Sequence, residues 1–108
     1  MRLRCHNPAM TTRWKPSVTV AAVIEHDGRY LLIEEHTPEG LRLNNPAGHL
    51  EVVESLVQAC AREALEETAH DFTPAYLVGV YLARFQRPGA SDPMEQDVTY
   101  LRFAFGGT

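Results

Sequence analysis

Apolar and polar positions change rhythm twice along this chain. Val18-Thr19-Val20-Ala21-Ala22-Val23-Ile24 is β-branched and apolar, Asp27-Gly28 reads as a turn, and Tyr30-Leu31-Leu32-Ile33 resumes the apolar run, the pattern of a β-hairpin. Val18, Val20 and Ala22 fall on one side of the first strand and Leu31 and Ile33 on one side of the next, which predicts them as core. Thr37-Pro38-Glu39-Gly40 reads as a second turn, Leu41-Arg42-Leu43 as a short strand, and Asn44-Asn45-Pro46-Ala47-Gly48 as a loop.

From Glu54 to about Thr68 the period becomes helical, with Val57, Cys60, Ala61, Ala64 and Leu65 on one face and good helix formers throughout. Thr73-Pro74 ends that segment. Tyr76 to Phe85 reads as a long strand, Arg87 to Gln96 as a loop, and Val98 to Phe105 as a further alternating strand. Strands, one amphipathic helix and more strands predict an α/β (α+β) domain.

Composition bounds what such a domain does. A chain of 108 residues, 44% hydrophobic and 22% charged, holds one compact domain. Met1 to Ala9 carry no periodicity and Met10-Thr11-Thr12 reads as an alternative start, so residues 1–13 are expected to be a disordered extension and 14–108 the domain. The formal charge is −4 and the pI about 5.7, and Lys and Arg form no patch, so nucleic acid is not an expected partner. Small anions then need local arginines or a metal ion. Cys5 and Cys60 do not have metal-ligand spacing, and Cys60 reads as a small core residue. The apolar run Val18 to Ile24 is too short to cross a bilayer, and a cytoplasmic location is expected.

The chemistry concentrates on the helix. Residues three and four apart share a face, so Glu63, Glu66 and Glu67 project within an arc of about 100°. Their charges repel, Glu51 and Glu54 upstream add to the field, and a divalent cation reverses the sign. Magnesium suits carboxylate oxygens that leave room for water and phosphate. Arg62, beside Glu63 and four residues before Glu66, is placed to orient a carboxylate. Taken alone, such a run is usually a solvated face.

The wider register changes that balance. Gly48, five residues, Glu54, seven residues, then Arg62-Glu63-Ala64-Leu65-Glu66-Glu67 resembles the Nudix box. The resemblance implies a mixed β-sheet flanked by helices and a hydrolase that cleaves a phosphoanhydride bond in a small diphosphate-containing metabolite. Mg2+ is the implied cofactor, with Mn2+ as a substitute. It implies Glu63 and Glu67 as leading metal ligands, Glu66 as ligand or base, Arg62 as their support, and Gly48 and Glu54 as an outer shell. The base is Glu66, Glu67 or an acid of the Asp92-Glu95-Asp97 loop. An alternative is a Nudix-like binding or sensor module with weak turnover.

Pro46 to Glu51, Lys15 to Val20 and Tyr100 to Phe103 are similar, more weakly, to the phosphatase-like subgroup acting on thiamine and hydroxymethylpyrimidine diphosphates. His49, Arg84 and Arg102 are candidate substrate contacts, and Trp14, Tyr81 and Phe85 candidate stacking rings. Two features depart from the family pattern. Ala69-His70 stands where a glycine and an apolar residue are expected, which predicts a cost of about 1 kcal/mol or a shifted helix end. Family members also generally continue into a further strand and a C-terminal helix, so the C-terminal part is expected to be truncated, with a homodimer covering the exposed sheet.

Overall fold

A computed structural model describes residues 13–108, without the side chain of Glu95. The expected N-terminal extension therefore lies, apart from Arg13, outside the described residues. The chain forms β1 (Ser17–His26), β2 (Arg29–Tyr30), β3 (Ile33–Thr37), β4 (Gly40–Asn44), β5 (Ala47–His49), α1 (Leu56–Thr68), β6 (Pro74–Gln86), a 3-10 turn (Pro93–Glu95) and β7 (Asp97–Gly107). Among the described residues no helix is long and apolar enough to cross a membrane.

The sheet is mixed. β1 runs parallel to β7, from Ser17 opposite Tyr100 to Ile24 opposite Gly107. β6 pairs antiparallel with the other side of β7, while β2 and β5 take opposite ends of β1's free side. Asp27 and Gly28 both adopt positive φ, 51° and 75°, as a tight two-residue hairpin requires.

Three local readings change. Ala47-Gly48-His49 is a short strand rather than loop, because it pairs with Ala21, Val20 and Thr19; the turn residues before it mask so brief a pairing. The predicted strand Tyr30–Ile33 divides. The Leu31 amide donates to the Ile24 carbonyl at 2.9 Å, and from Ile33 the chain enters the separate β3–β4 hairpin. The helix starts at Leu56, two residues after Glu54, because Ser55 caps it. The Gln58 amide donates to Ser55 Oγ at 3.1 Å and the Ser55 amide to Gln58 Oε1 at 2.8 Å, a reciprocal capping box.

Val20, Ala22 and Ile24 of β1 form the core with Ala59, Cys60 and Ala64 of α1 and with Phe72. Leu31 packs at its edge, and Val18 and Ile33 are half-buried. Small residues on α1 let the helix sit close to the sheet. Val57 and Leu65, predicted as core, are instead 47% and 49% exposed, because the contact stripe is only as wide as the alanines and Cys60. Burial pushes the Cys60 thiol up to about 11, in keeping with its reading as core.

Ala69 follows the last turn at φ 58°, ψ 20°, and its amide donates to the Leu65 carbonyl at 2.9 Å. The helix end stays where a glycine would have put it, and the alanine adopts the left-handed conformation. The sheet face opposite α1 carries Thr19, Ala21 and Val23. β6 is exposed along most of its length, with Tyr76 57%, Leu77 52% and Leu82 70% accessible.

Candidate active site

Gly48 brings the loop strand and the helix into contact. A Cβ at this position would collide with the carboxyl group of Glu63, so a residue with no side chain lets that carboxylate lie against β5. The glycine signal is steric here, since its φ is not in the positive range.

Arg62 organises the carboxylates. Its Nε donates to Glu54 Oε2 at 2.9 Å and its Nη2 to Glu54 Oε1 at 2.7 Å, a bidentate pair. The same Nη2 donates to the His49 carbonyl at 3.1 Å, and Nη1 donates to Glu63 Oε1 at 2.9 Å and to Glu66 Oε2 at 3.3 Å. Glu51 lies 3.6 Å away. Hydrogen bonds from Arg62 and from the Glu51 amide hold the Glu54 carboxyl down at about 2, far below the usual carboxylate range. Hydrogen bonds to Glu54 and Glu63 push the guanidinium up.

Glu67 faces a different environment. Its Oε2 accepts one hydrogen bond, from the Ala47 amide at 3.3 Å. Desolvation raises its pKa, the Ala47 amide opposes the shift, and the charges of Glu63, Glu35 and Glu66 add to it. The carboxylates are thus shared between Arg62 and the Ala47 amide. Among the described residues no three acidic, His or Cys side chains are already gathered closely enough to hold a metal ion, so the convergence expected from helix spacing is not formed. The donor chemistry nonetheless fits a hard divalent cation: uncompensated carboxylate oxygens repel one another around Glu67.

The sequence matches the NUDIX domain family over residues 13–107. The chain belongs to the Nudix family. It is 43% identical over 68 residues to Phosphatase NudJ of Escherichia coli, covering 63% of this chain and 44% of that protein. A NUDIX hydrolase structure from Nitrosomonas europaea superposes with TM-score 0.67 at 52% identity, covering 86% of this chain and 58% of the other. A MutT protein from Methanosarcina mazei Go1 shares the fold with TM-score 0.66 at 24% identity, covering 90% of this chain and 67% of that one. The chain therefore spans about half the length of these first two Nudix relatives.

Beside the Nudix box lies a cleft of about 930 Å³ on the sheet face opposite α1. It contains His49 and Arg102 of the expected substrate contacts and the rings of Tyr81 and Phe85. Tyr100 stands between two of these rings, its centroid 6.1 Å from His49 and 5.7 Å from Phe85 in an edge-on arrangement. Arg84 projects elsewhere and is held by Asp97, with Nε to Oδ1 at 2.8 Å and Nη2 to Oδ2 at 2.6 Å. Trp14 is 71% exposed and is not part of the cleft lining. Asp92 accepts from the Met94 amide at 2.9 Å, so two of the loop acids are already engaged; the side chain of Glu95 lies outside the described residues.

Sequence reading missed Glu35, Asn44, Thr19 and Tyr100. Asn44 Nδ2 donates to Glu35 Oε2 at 3.0 Å, and Glu35 lines the cleft close enough for its charge to act on Glu67. In sequence Glu35 is one acid in a polar strand, and only the β3–β4 pairing reveals its direction.

Proposed function

We propose that this chain carries the catalytic unit of a Mg2+-dependent hydrolase that cleaves a phosphoanhydride bond in a small diphosphate-containing metabolite, of nucleoside or thiamine type. The observation that carries this reading is the Arg62-braced set of carboxylates held against β5, the strand whose Ala47, Gly48 and His49 line the 930 Å³ cleft. The names of the relatives, a phosphatase and a NUDIX hydrolase, support it.

Glu63, Glu66 and Glu67 would hold the cation, with Mn2+ as a substitute. When bound, it supplies charge neutralisation of the diphosphate and acidification of a coordinated water. Arg62 fixes the Glu63 carboxylate, Glu54 fixes Arg62, and Gly48 leaves the space in which Glu63 lies. Glu66 or Glu67 would take the proton from the attacking water. His49 and Arg102 face the rest of the substrate.

Phosphate release from a panel of nucleoside diphosphates and thiamine diphosphate with Mg2+ tests the reading. Glu67→Gln is expected to lower kcat by about 10²–10⁴, the range of a lost acid–base group. Turnover of none of these substrates by the native chain, or an unaffected variant, overturns it. Mg2+ at a hundredfold excess over its Kd is also expected to stabilise the native chain by about 2.7 kcal/mol. The reading includes a cytoplasmic location and a homodimer in which a second copy covers β6; sedimentation mass checks the latter.

A further inference from the structure

The strand registers place side chains in rows across four strands of the sheet. His49 of β5 stands opposite Thr19 of β1, Thr19 opposite Arg102 of β7, and Arg102 opposite Tyr81 of β6. The next row is Ala47, Ala21, Ala104 and Gly79. One row therefore offers almost no side-chain bulk and the adjacent row carries polar and aromatic groups. The ring of Tyr81 leans over Gly79, where any Cβ would meet it. A shallow trough results, about 14 Å long from the four-strand spacing, with its β5 end at the Ala47 amide that donates to Glu67.

Thr19 occupies the middle of the wall row. It is 6% exposed, and its Oγ1 is a buried side-chain polar atom with no hydrogen-bond partner among the described residues. Thr19 lies in the ladders with His49 on one side and Arg102 on the other, so the adjoining backbone groups serve sheet pairing. Thr19 lines the cleft, so the cleft is the side from which a partner for its hydroxyl can come. A buried polar group left without a partner is destabilising, so such an atom marks a place where a partner arrives.

We infer that Thr19 is a specificity-determining residue: its hydroxyl pairs with the polar edge of a flat heteroaromatic group lying in this trough, while Tyr81, whose ring leans over Gly79, supplies an aromatic surface at the β6 end. This rests on the proposed diphosphate hydrolase reading, which puts the phosphates at the carboxylate end. The trough then carries the remainder of the substrate away from Glu67 toward β6. A ring with a hydrogen-bonding edge satisfies Thr19, whereas an aliphatic chain leaves the hydroxyl buried and unpaired.

The test compares KM and kcat for thiamine diphosphate and the nucleoside diphosphates against geranyl diphosphate, in Mg2+, for the native chain, Thr19→Val and Thr19→Ser. Thr19→Val is expected to raise KM for the preferred heteroaromatic substrate about tenfold, the size of a lost pairing to a neutral group, with kcat within about twofold. Thr19→Ser keeps the native KM, and the KM for geranyl diphosphate does not rise in either variant. Valine matches threonine in shape and removes an unpaired hydroxyl, so an unchanged or higher thermal midpoint shows that the fold persists. A Thr19→Val KM that is unchanged, or that rises equally for geranyl diphosphate, overturns the assignment. If the native chain hydrolyses none of these compounds, the hydrolase reading fails separately. Equilibrium binding of the unphosphorylated nucleosides and thiamine then decides the trough: weaker binding by Thr19→Val upholds it, and equal or absent binding overturns it.

Discussion

Arg62 and Arg102 stand in opposite surroundings. Around Arg62, carboxylates of Glu51, Glu54, Glu63 and Glu66 lie within 3.6 Å, and its side chain is only 23% exposed. Arg102 lies in an open cleft among rings and small residues and joins no ion pair among the described residues. The first arrangement spends every donor of the guanidinium on holding protein groups still. The second leaves a cation available to a ligand. Orientation is therefore built in at the helix, and adaptability remains at the sheet.

The comparison is broken most directly at Arg62. Arg62→Lys retains the charge but loses the planar fork that spans Glu54, Glu63 and the His49 carbonyl. It is expected to lower kcat/KM by about 10–100-fold, the usual effect of removing a group that orients metal ligands. Isothermal titration of Mg2+ checks whether the loss lies in cation affinity. A lysine variant with native activity would mean that the carboxylates position themselves.

The helix end was legible in the sequence because its geometry is local. The register of Gly48, Glu54 and Arg62-Glu63 lies within one short stretch and resembles the Nudix box, whereas the close approach of Glu63 to Gly48 emerges only with the pairing of β5. The trough was not legible. Thr19, Ala21, Ala47, Ala104 and Gly79 come from four strands distant along the chain, and a small residue in a strand carries no sign of its neighbours in the sheet. Glu35 was hidden for the same reason. Val57 and Leu65 misled in the other direction: hydrophobic periodicity gives the side facing the sheet but not the width of the contact.

Acid sharpens the contrast in a second way. Glu54 has a folded-state pKa of about 2 against an ordinary 4.5. A depressed carboxylate contributes stability that is present above the ordinary value and lost as pH falls from about 4.5 toward 2. The urea midpoint of the metal-free chain is expected to fall over that window, and Glu54→Gln is expected to show a flatter profile with a lower midpoint at neutral pH. Identical profiles for the two proteins would remove Glu54 from the anchoring role.

Where α1 ends, the wiring carries a conformational cost. Ala69 holds φ 58°, and Ala69→Gly is expected to stabilise the chain by about 1 kcal/mol, because glycine enters the left-handed region without a Cβ penalty. Activity should stay native, since Ala69 is not among the residues proposed to hold the cation or face the substrate. The thermal midpoint measures the gain, and a fall would show that Ala69 packs usefully.

The smallest expected effect separates the two arginines predicted together from sequence. Arg84 and Arg102 both stand on long strands, yet Arg84 is tied to Asp97 at 2.6 Å on an exposed surface, and such pairs contribute little. Arg84→Ala should change kcat/KM by less than about twofold, whereas Arg102→Ala, by removing a cation from the cleft, should cost about tenfold through KM, as a lost charge-assisted contact does. Measuring both on one substrate cancels general effects of strand truncation. Equal losses would mean that the strand's stability, and not the face on which its arginine stands, sets the activity.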